Sequence, residues 1–286
     1  MSRGGPGDRR GGPPVDRGGP GDRRYALELD EREVARYRMM AEQARAAEAD
    51  LWELAGIGPG ARVADVGCGP GAILPALSAA AGPEGRVQAV DADPAAVAAA
   101  GALVAAAGLA NVSVAEGRAD RTGLEPGALD AVMLRHVLAH NGGAEDAIVA
   151  HLASLLRPGG CLYLVDVDGT AFRTLPAHAD LTDLEERYAA FRAARGDDNQ
   201  AGLRLADRLV RAGLEVVEFR GRYFIGQPPA GVRPPAWAAR EAMVAAGTAS
   251  PDDVRRWDRA LQEVAAAPVP PTIFAPIFTA VGRRPP

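Results

Sequence analysis

The stretch Val63-Ala64-Asp65-Val66-Gly67-Cys68-Gly69-Pro70-Gly71 constrains this chain more than any other part of it. A short apolar strand runs into Asp65, and a turn carrying Gly67, Gly69 and Gly71 then opens an Ala/Leu-rich helix. Glycine suits such a turn because the backbone bends sharply and a ligand can approach it closely. Twenty residues past Gly71, a second strand, Val87-Gln88-Ala89-Val90, ends in Asp91. A carboxylate at that place can accept both hydroxyls of a ribose. Strand, glycine turn, helix, strand and acid together imply a nucleoside cofactor bound at the edge of an α/β sheet.

Two cofactors compete for the turn. A dinucleotide fingerprint, Gly-x-Gly-x-x-Gly/Ala, is met by Gly67, Gly69 and Ala72. A methyl-donor pattern, Asp-x-Gly-x-Gly-x-Gly, is met by Asp65, Gly67, Gly69 and Gly71. Asp65 would repel a pyrophosphate seated on the helix N-terminus, yet it can hold an ammonium through a water or backbone group. The string resembles motif I of the class I S-adenosylmethionine (SAM) methyltransferases, in which Pro70 is a common filler. Leu156-Arg157-Pro158-Gly159-Gly160, followed by Cys161-Leu162-Tyr163-Leu164-Val165, resembles that family's turn into strand five. The resemblance implies SAM as cofactor, held by Asp65, Gly67, Cys68, Gly69, Gly71, Asp91, Ala92 and Arg135. It spans roughly residues 30–285 and points to the small-molecule branch, near quinone-biosynthesis and bacterial secondary-metabolite enzymes. A nicotinamide-dependent oxidoreductase and a SAM-binding protein without methyl transfer stay open beside it.

One segment departs from the family. Gly117 to Asp130 aligns with a common methyltransferase pattern, Gly-Asp-Ala…Phe-Asp, and the acid that would receive the adenine amino group falls on Arg118. Asp120, two residues on, is the nearest carboxylate. It keeps the same face if the segment stays extended, so it is the expected adenine partner.

Composition narrows the field. The 286 residues suffice for one large α/β domain with an insertion, or for two small domains. Net charge is −5, and residues 1–24 hold six Arg and three Asp, leaving 26 basic against 34 acidic residues. An acidic body argues against general nucleic-acid binding. Every basic side chain is Arg, and without lysine neither a P-loop nor a Schiff base can form. Such codon usage suggests a high-GC bacterial genome. Two cysteines, Cys68 and Cys161, are too few for a disulfide framework, so a reducing cytoplasm is the expected compartment. The N-terminus lacks the apolar core of a signal peptide. Residues 94–115 carry no charge, but Pro94, Gly101, Gly108, Asn111 and Ser113 make them a helix and a strand rather than a membrane span. The four histidines and two cysteines show no metal-ligand spacing, so no metal is expected.

Along the chain, Arg-Gly-Gly-Pro-Gly-Asp-Arg-Arg occurs at 3–10 and again at 17–24, marking residues 1–24 as an Arg/Gly/Pro-rich disordered tail. Asp30 and Glu33 form a capping box for a helix starting near Glu31, within an N-terminal helical segment at 25–58. Strands follow near 62–66, 86–90, 111–115, 129–134 and 161–166, with helices near 71–81, 94–107 and 144–156. Further helices at about 180–195 and 201–213 precede strands at Leu214–Phe224 and Ile277–Gly282. The reading is an α/β, doubly wound, mostly parallel seven-stranded sheet, Rossmann-like, with an N-terminal helical extension and a helical insertion before the last strand. An antiparallel last strand is what the resemblance implies. The expected SAM-binding domain covers 59–226, a Pro-bounded cap covers 227–271, and the last strand lies in 272–286. The insertion suits a lid, a decorative hairpin or a homodimer contact.

Ligands in such sheets bind at the carboxyl ends of strands. His136 and His140 follow strand four, and a helix there would set them on one face, where either could deprotonate a hydroxyl acceptor. They are the catalytic candidates, and O-methylation is the first expectation, with nitrogen and carbon acceptors left open. The plainer alternative has them flank the cofactor and cap the helix. Asp166 and Asp168 follow strand five. Between residues 60 and 166 the only aromatic side chain is Tyr163, so the flanking helices and insertion must supply any aromatic pocket wall for a small planar or hydrophobic acceptor.

Overall fold

Apolar residues that alternate along a strand need cover on both faces of the sheet, and two helical layers supply it. The computed structural model describes residues 31–227 and 232–286. The 1–24 tail and Asp30 of the expected capping box lie outside the described residues. Helices α1 (Glu31–Ala47) and α2 (Ala49–Leu54) lead into β1 (Arg62–Val66), α3 (Leu74–Ala81), β2 (Arg86–Asp91), α4 (Pro94–Ala106), β3 (Val112–Glu116) and β4 (Leu129–Arg135). Then come α5 (Glu145–Leu155), β5 (Leu156–Val167), β6 (Arg173–Leu175), α6 (Ala179–Ala194), α7 (Leu205–Arg211) and β7 (Glu215–Gly226). The insertion holds α8 (Pro235–Ala238), α9 (Arg240–Ala245) and α10 (Pro251–Ala265), and β8 (Thr272–Arg283) closes the sheet.

The sheet runs β3-β2-β1-β4-β5-β8, with β7 and β6 both paired to β8. Strands β3 to β5 are parallel, and β8 is antiparallel to each of its three neighbours. Period-two burial assigns the faces. Ala131 and Met133 of β4 pack with Leu74, Leu77, Trp52 and Tyr163 on one side. Val132 and Leu134 pack with Ile148, Leu152 and Leu209 on the other. Each such fully buried aliphatic side chain contributes about 1.5–3 kcal/mol. Local chemistry starts the helices where the fold needs them. Asp93 caps α4 by accepting from Ala95 N–H, with Pro94 at its first position. Ser250 and Asp253 form a capping box on α10 behind Pro251.

Three details differ from the sequence reading. The sheet has eight strands rather than seven. The N-terminal half of β8 runs past the end of β5, and Arg173–Leu175 satisfies its backbone as β6. β8 also starts at Thr272, five residues earlier than expected, continuing through Pro276. The helix expected at 201–213 is a 3₁₀ turn, Ala201–Arg204, followed by α7. The cap has a core of its own, in which Leu184, Tyr188 and Phe191 of α6 pack with Ala236, Met243 and Trp257.

Candidate active site

Strand order reverses between β1 and β4, and the crevice opens where their carboxyl ends diverge. At Gly67, φ is +71° and a Cβ would stand 2.4 Å from Val137 Cγ2, so only glycine lets the two strand ends meet. Gly67 and Cys68 donate to the Val90 carbonyl at 2.7 and 3.1 Å, which ties the turn to β2. Gly69 N–H donates to Asp91 Oδ2 at 2.8 Å, and Asp93 N–H donates to Asp91 Oδ1 at 2.9 Å. Burial raises the Asp91 carboxyl above its ordinary range, against the pull of those N–H groups. Four lone-pair sites less two leave Asp91 able to accept a diol.

Asp65 sits in the centre of the sheet between β2 and β4, 2% exposed. Burial, with a smaller push from Asp91, raises its carboxyl to about 7 against the attraction of Arg135. Its Oδ2 is buried without a hydrogen-bond partner. An orphan acceptor of this kind calls for a donor from a ligand. Arg135 itself is engaged. It is ion-paired to Glu48, a fully buried carboxylate at the junction of α1 and α2. Glu48 also accepts from Tyr163 OH and, at 2.8 Å, from Arg222. Burial would push Glu48 up, but the Arg135 guanidinium and these donors outweigh it and hold the carboxyl below its usual range.

Asp65, Asp91, Arg135 and the glycine turn border one cavity of about 1910 Å³, and Glu48 and Tyr163 stand behind Arg135 outside its lining. Asp65, Gly67, Cys68, Gly69, Asp91, Ala92, Asp120, Arg135, His136 and His140 line it, and Gly71 does not. Gly71 serves packing instead. Its φ is +80°, and a Cβ there would lie 3.0 Å from Ala100 Cβ, so it brings the turn against α4. The cavity exceeds the roughly 300–1,000 Å³ of an ordinary small-molecule site. It has room for a donor and an acceptor side by side. Burial and the neighbouring Asp65 and Asp91 carboxylates push the Cys68 thiol far up, so it is no nucleophile.

The segment expected to stay extended through Asp120 turns instead. Arg121 N–H donates to the Arg118 carbonyl at 2.9 Å, and the Arg118 guanidinium holds both Asp120 oxygens at 2.9 Å. That fork lowers the Asp120 carboxyl, which meets the cavity as a paired anion. The histidines share no helix either. His136 has φ +57°, the only positive φ outside glycine among the described residues, and His140 ends a 3₁₀ turn, Leu138–His140. Both reach the cavity because that turn is pinned. Asp166 accepts from Ala139 N–H at 3.0 Å, Arg192 donates to the Ala139 carbonyl at 2.6 Å, and Asn141 donates to the Val137 carbonyl at 2.8 Å. Asp168 caps the short turn that follows β5, bonding Thr170.

Aromatic cover comes from the flanks, namely Tyr37, Phe172, Tyr188 and Phe224, whereas Trp257 and Phe191 belong to the cap core. Sequence reasoning passed over Glu48, which no motif marks. It also passed over Glu185 in the cavity wall, although a charge in phase with Leu181 and Tyr188 was there to be seen. Among the described residues no group of three or more His, Cys, Asp or Glu side chains could hold a metal, and no helix is long and apolar enough to cross a membrane.

Residues 63–160 match a family described as a methyltransferase domain. No curated protein matches the chain significantly. Among solved structures, the chain is similar to the YcgJ protein from Bacillus subtilis at 16% identity and a TM-score of 0.56, covering 83% of this chain and 97% of that one. A SAM-dependent methyltransferase from Aquifex aeolicus aligns at 19% identity and a TM-score of 0.50, over 67% of this chain and 92% of that one. Phosphoethanolamine N-methyltransferase 2 of Haemonchus contortus, in complex with SAM, aligns at 17% identity and a TM-score of 0.51, over 83% of this chain and 52% of that one. The fold is the Rossmann-like methyltransferase fold. With the domain match, it supports a class I SAM-dependent methyltransferase with SAM as cofactor. The residues fit that cofactor. The orphan oxygen of Asp65 suits an ammonium, Asp91 suits a ribose, and the buried Asp65 carboxylate beside the glycine turn disfavours a pyrophosphate.

Proposed function

We propose that the chain methylates a small aromatic or hydrophobic acceptor, at a hydroxyl in the first instance, as an enzyme of bacterial secondary metabolism. The observation that carries this reading is the single cavity shared by the glycine turn, His136, His140 and the aromatic walls Phe172, Tyr188 and Phe224. When bound, SAM supplies an electrophilic methyl group. The chain must place the acceptor in line and keep water out. A pinned turn between the two histidines favours a fixed geometry, and a neutral imidazole near the acceptor can take its hydroxyl proton as the methyl bond forms.

The test is transfer of labelled methyl from SAM to a set of phenols, catechols and aliphatic alcohols, with SAM and NADH titrated in parallel. The double variant His136→Ala/His140→Ala is expected to lose about a hundredfold in kcat, the low end for general base catalysis, while still binding SAM. Undiminished turnover removes the histidines from the chemistry. SAM binding with no product on any acceptor points to a protein that binds SAM without transfer, and NADH binding alone points to redox chemistry.

A further inference from the structure

The face of α6 that walls the cavity carries Leu181, Glu185, Tyr188 and Arg192 at helical spacing. Arg192 anchors the C-terminal part of this face to the His140 turn through the Ala139 carbonyl. Glu185 lies seven residues before it, about 10 Å further along the helix. That places Glu185 beyond the histidines, where α10 of the cap contributes Leu261 and Val264 to the same cavity.

Of the cavity's arginines, Arg173 donates to the Thr170 and Phe172 carbonyls and Arg195 lies over the Phe191 ring, and others around this wall are ion-paired. Arg187 pairs with Asp183 and Asp253, Arg256 with Asp180, Asp183 and Asp253, and Arg233 with Asp258. Arg192 pairs with Asp197. Among the described residues no hydrogen bond or ion pair reaches the Glu185 carboxylate. The residue is half-buried in the cavity wall, and desolvation by its surroundings raises its carboxyl to about 7. A half-buried carboxylate that faces the cavity without a protein partner is open to a ligand cation, which would pair with it by a charge-assisted hydrogen bond. We propose that Glu185 is the counter-charge for a protonated amine on the acceptor, making this a subsite for small amine-bearing acceptors. The inference rests on the cavity being the acceptor site of the reading above.

A matched pair of probes tests it. Tyramine carries an ammonium where tyrosol carries a neutral hydroxyl, and both share the phenol ring. Each is titrated to millimolar concentration into the full chain, with and without saturating S-adenosylhomocysteine. Tyramine is expected to bind at least about tenfold tighter than tyrosol, about 1.4 kcal/mol. Glu185→Gln keeps the shape and a hydrogen-bond donor but not the charge, so it should abolish that preference and leave S-adenosylhomocysteine affinity unchanged. Equal binding of the two probes, no tyramine binding, or a preference that survives in Glu185→Gln would overturn the subsite. Loss of S-adenosylhomocysteine binding by the wild-type chain would instead strike the methyltransferase reading, and the titration without it still scores Glu185.

Discussion

The two walls of the cavity are built from different materials. The cofactor edge is backbone, glycine and buried carboxylate. Gly67, Gly69, Asp65 and Asp91 are fixed by short N–H bonds and by strands that pair on both sides. The opposite wall is a helical cap with its own small core, laced to α6 by partly exposed ion pairs such as Arg256 with Asp180 and Asp183. A wall of backbone has one geometry and suits a ligand that never varies. A wall of side chains on a separate core can be repacked without disturbing the sheet, so differences in acceptor should be written there.

The largest expected effect breaks that separation if it is false. Trp257 is fully buried, packs with Leu184 and Tyr188, and donates to Asp183 Oδ2 at 2.9 Å. Trp257→Ala should cost the cap about 3–5 kcal/mol, read as a lower-temperature unfolding step, or as protease cleavage within residues 232–271. S-adenosylhomocysteine affinity should move less than about twofold. A parallel collapse of cofactor affinity would show the two walls to be one cooperative unit.

The same contrast explains what could be read in advance. The glycine turn, Asp91 and the strand-helix alternation are local patterns, set by backbone geometry and by side chains within a few residues of one another. They were legible for that reason. The third β8 partner, β6, was not. Arg173-Thr174-Leu175 has no strand pattern of its own, and it pairs only because β8 outruns β5. Gly71 fits the motif letter for letter, yet contact with Ala100, which lies far along the chain, gives it a packing role. The Asp120 assignment assumed an extended segment, whereas Arg118 folds back onto both carboxylate oxygens. Glu48 draws its partners from β4, β5 and β7, and nothing near it in sequence announces them.

A middle-sized effect sharpens the description of the cofactor wall. Asp91→Ala removes the acceptor for a ribose diol and also the bonds that hold Gly69 and Asp93 N–H. SAM binding should weaken at least about tenfold, about 1.4 kcal/mol, measured by calorimetry. An unchanged dissociation constant would sink the ribose assignment. Trp257→Ala serves as the matched control from the other wall.

The smallest effect concerns charge stored in the cavity. Asp65, facing Arg135 and Asp91, is raised from 3.8 to about 7, Asp166 to about 6 and Glu185 from 4.5 to about 7. A carboxyl raised in the folded state binds more protons there than in the unfolded chain. Stability is therefore fullest below the unfolded value and falls as pH rises through the folded one. The free protein should lose thermal stability between about pH 4 and 7, contrary to the usual trend for ion-paired carboxylates. If its ammonium is held at Asp65, saturating S-adenosylhomocysteine should flatten part of that slope. Asp65→Asn should raise the Tm of the free protein above pH 7 while weakening S-adenosylhomocysteine binding, because the cost of burying this charge without a partner is the same quantity that a cationic ligand recovers. A variant that gains stability without losing affinity would place the ammonium elsewhere and leave the orphan oxygen of Asp65 as a feature of the fold alone.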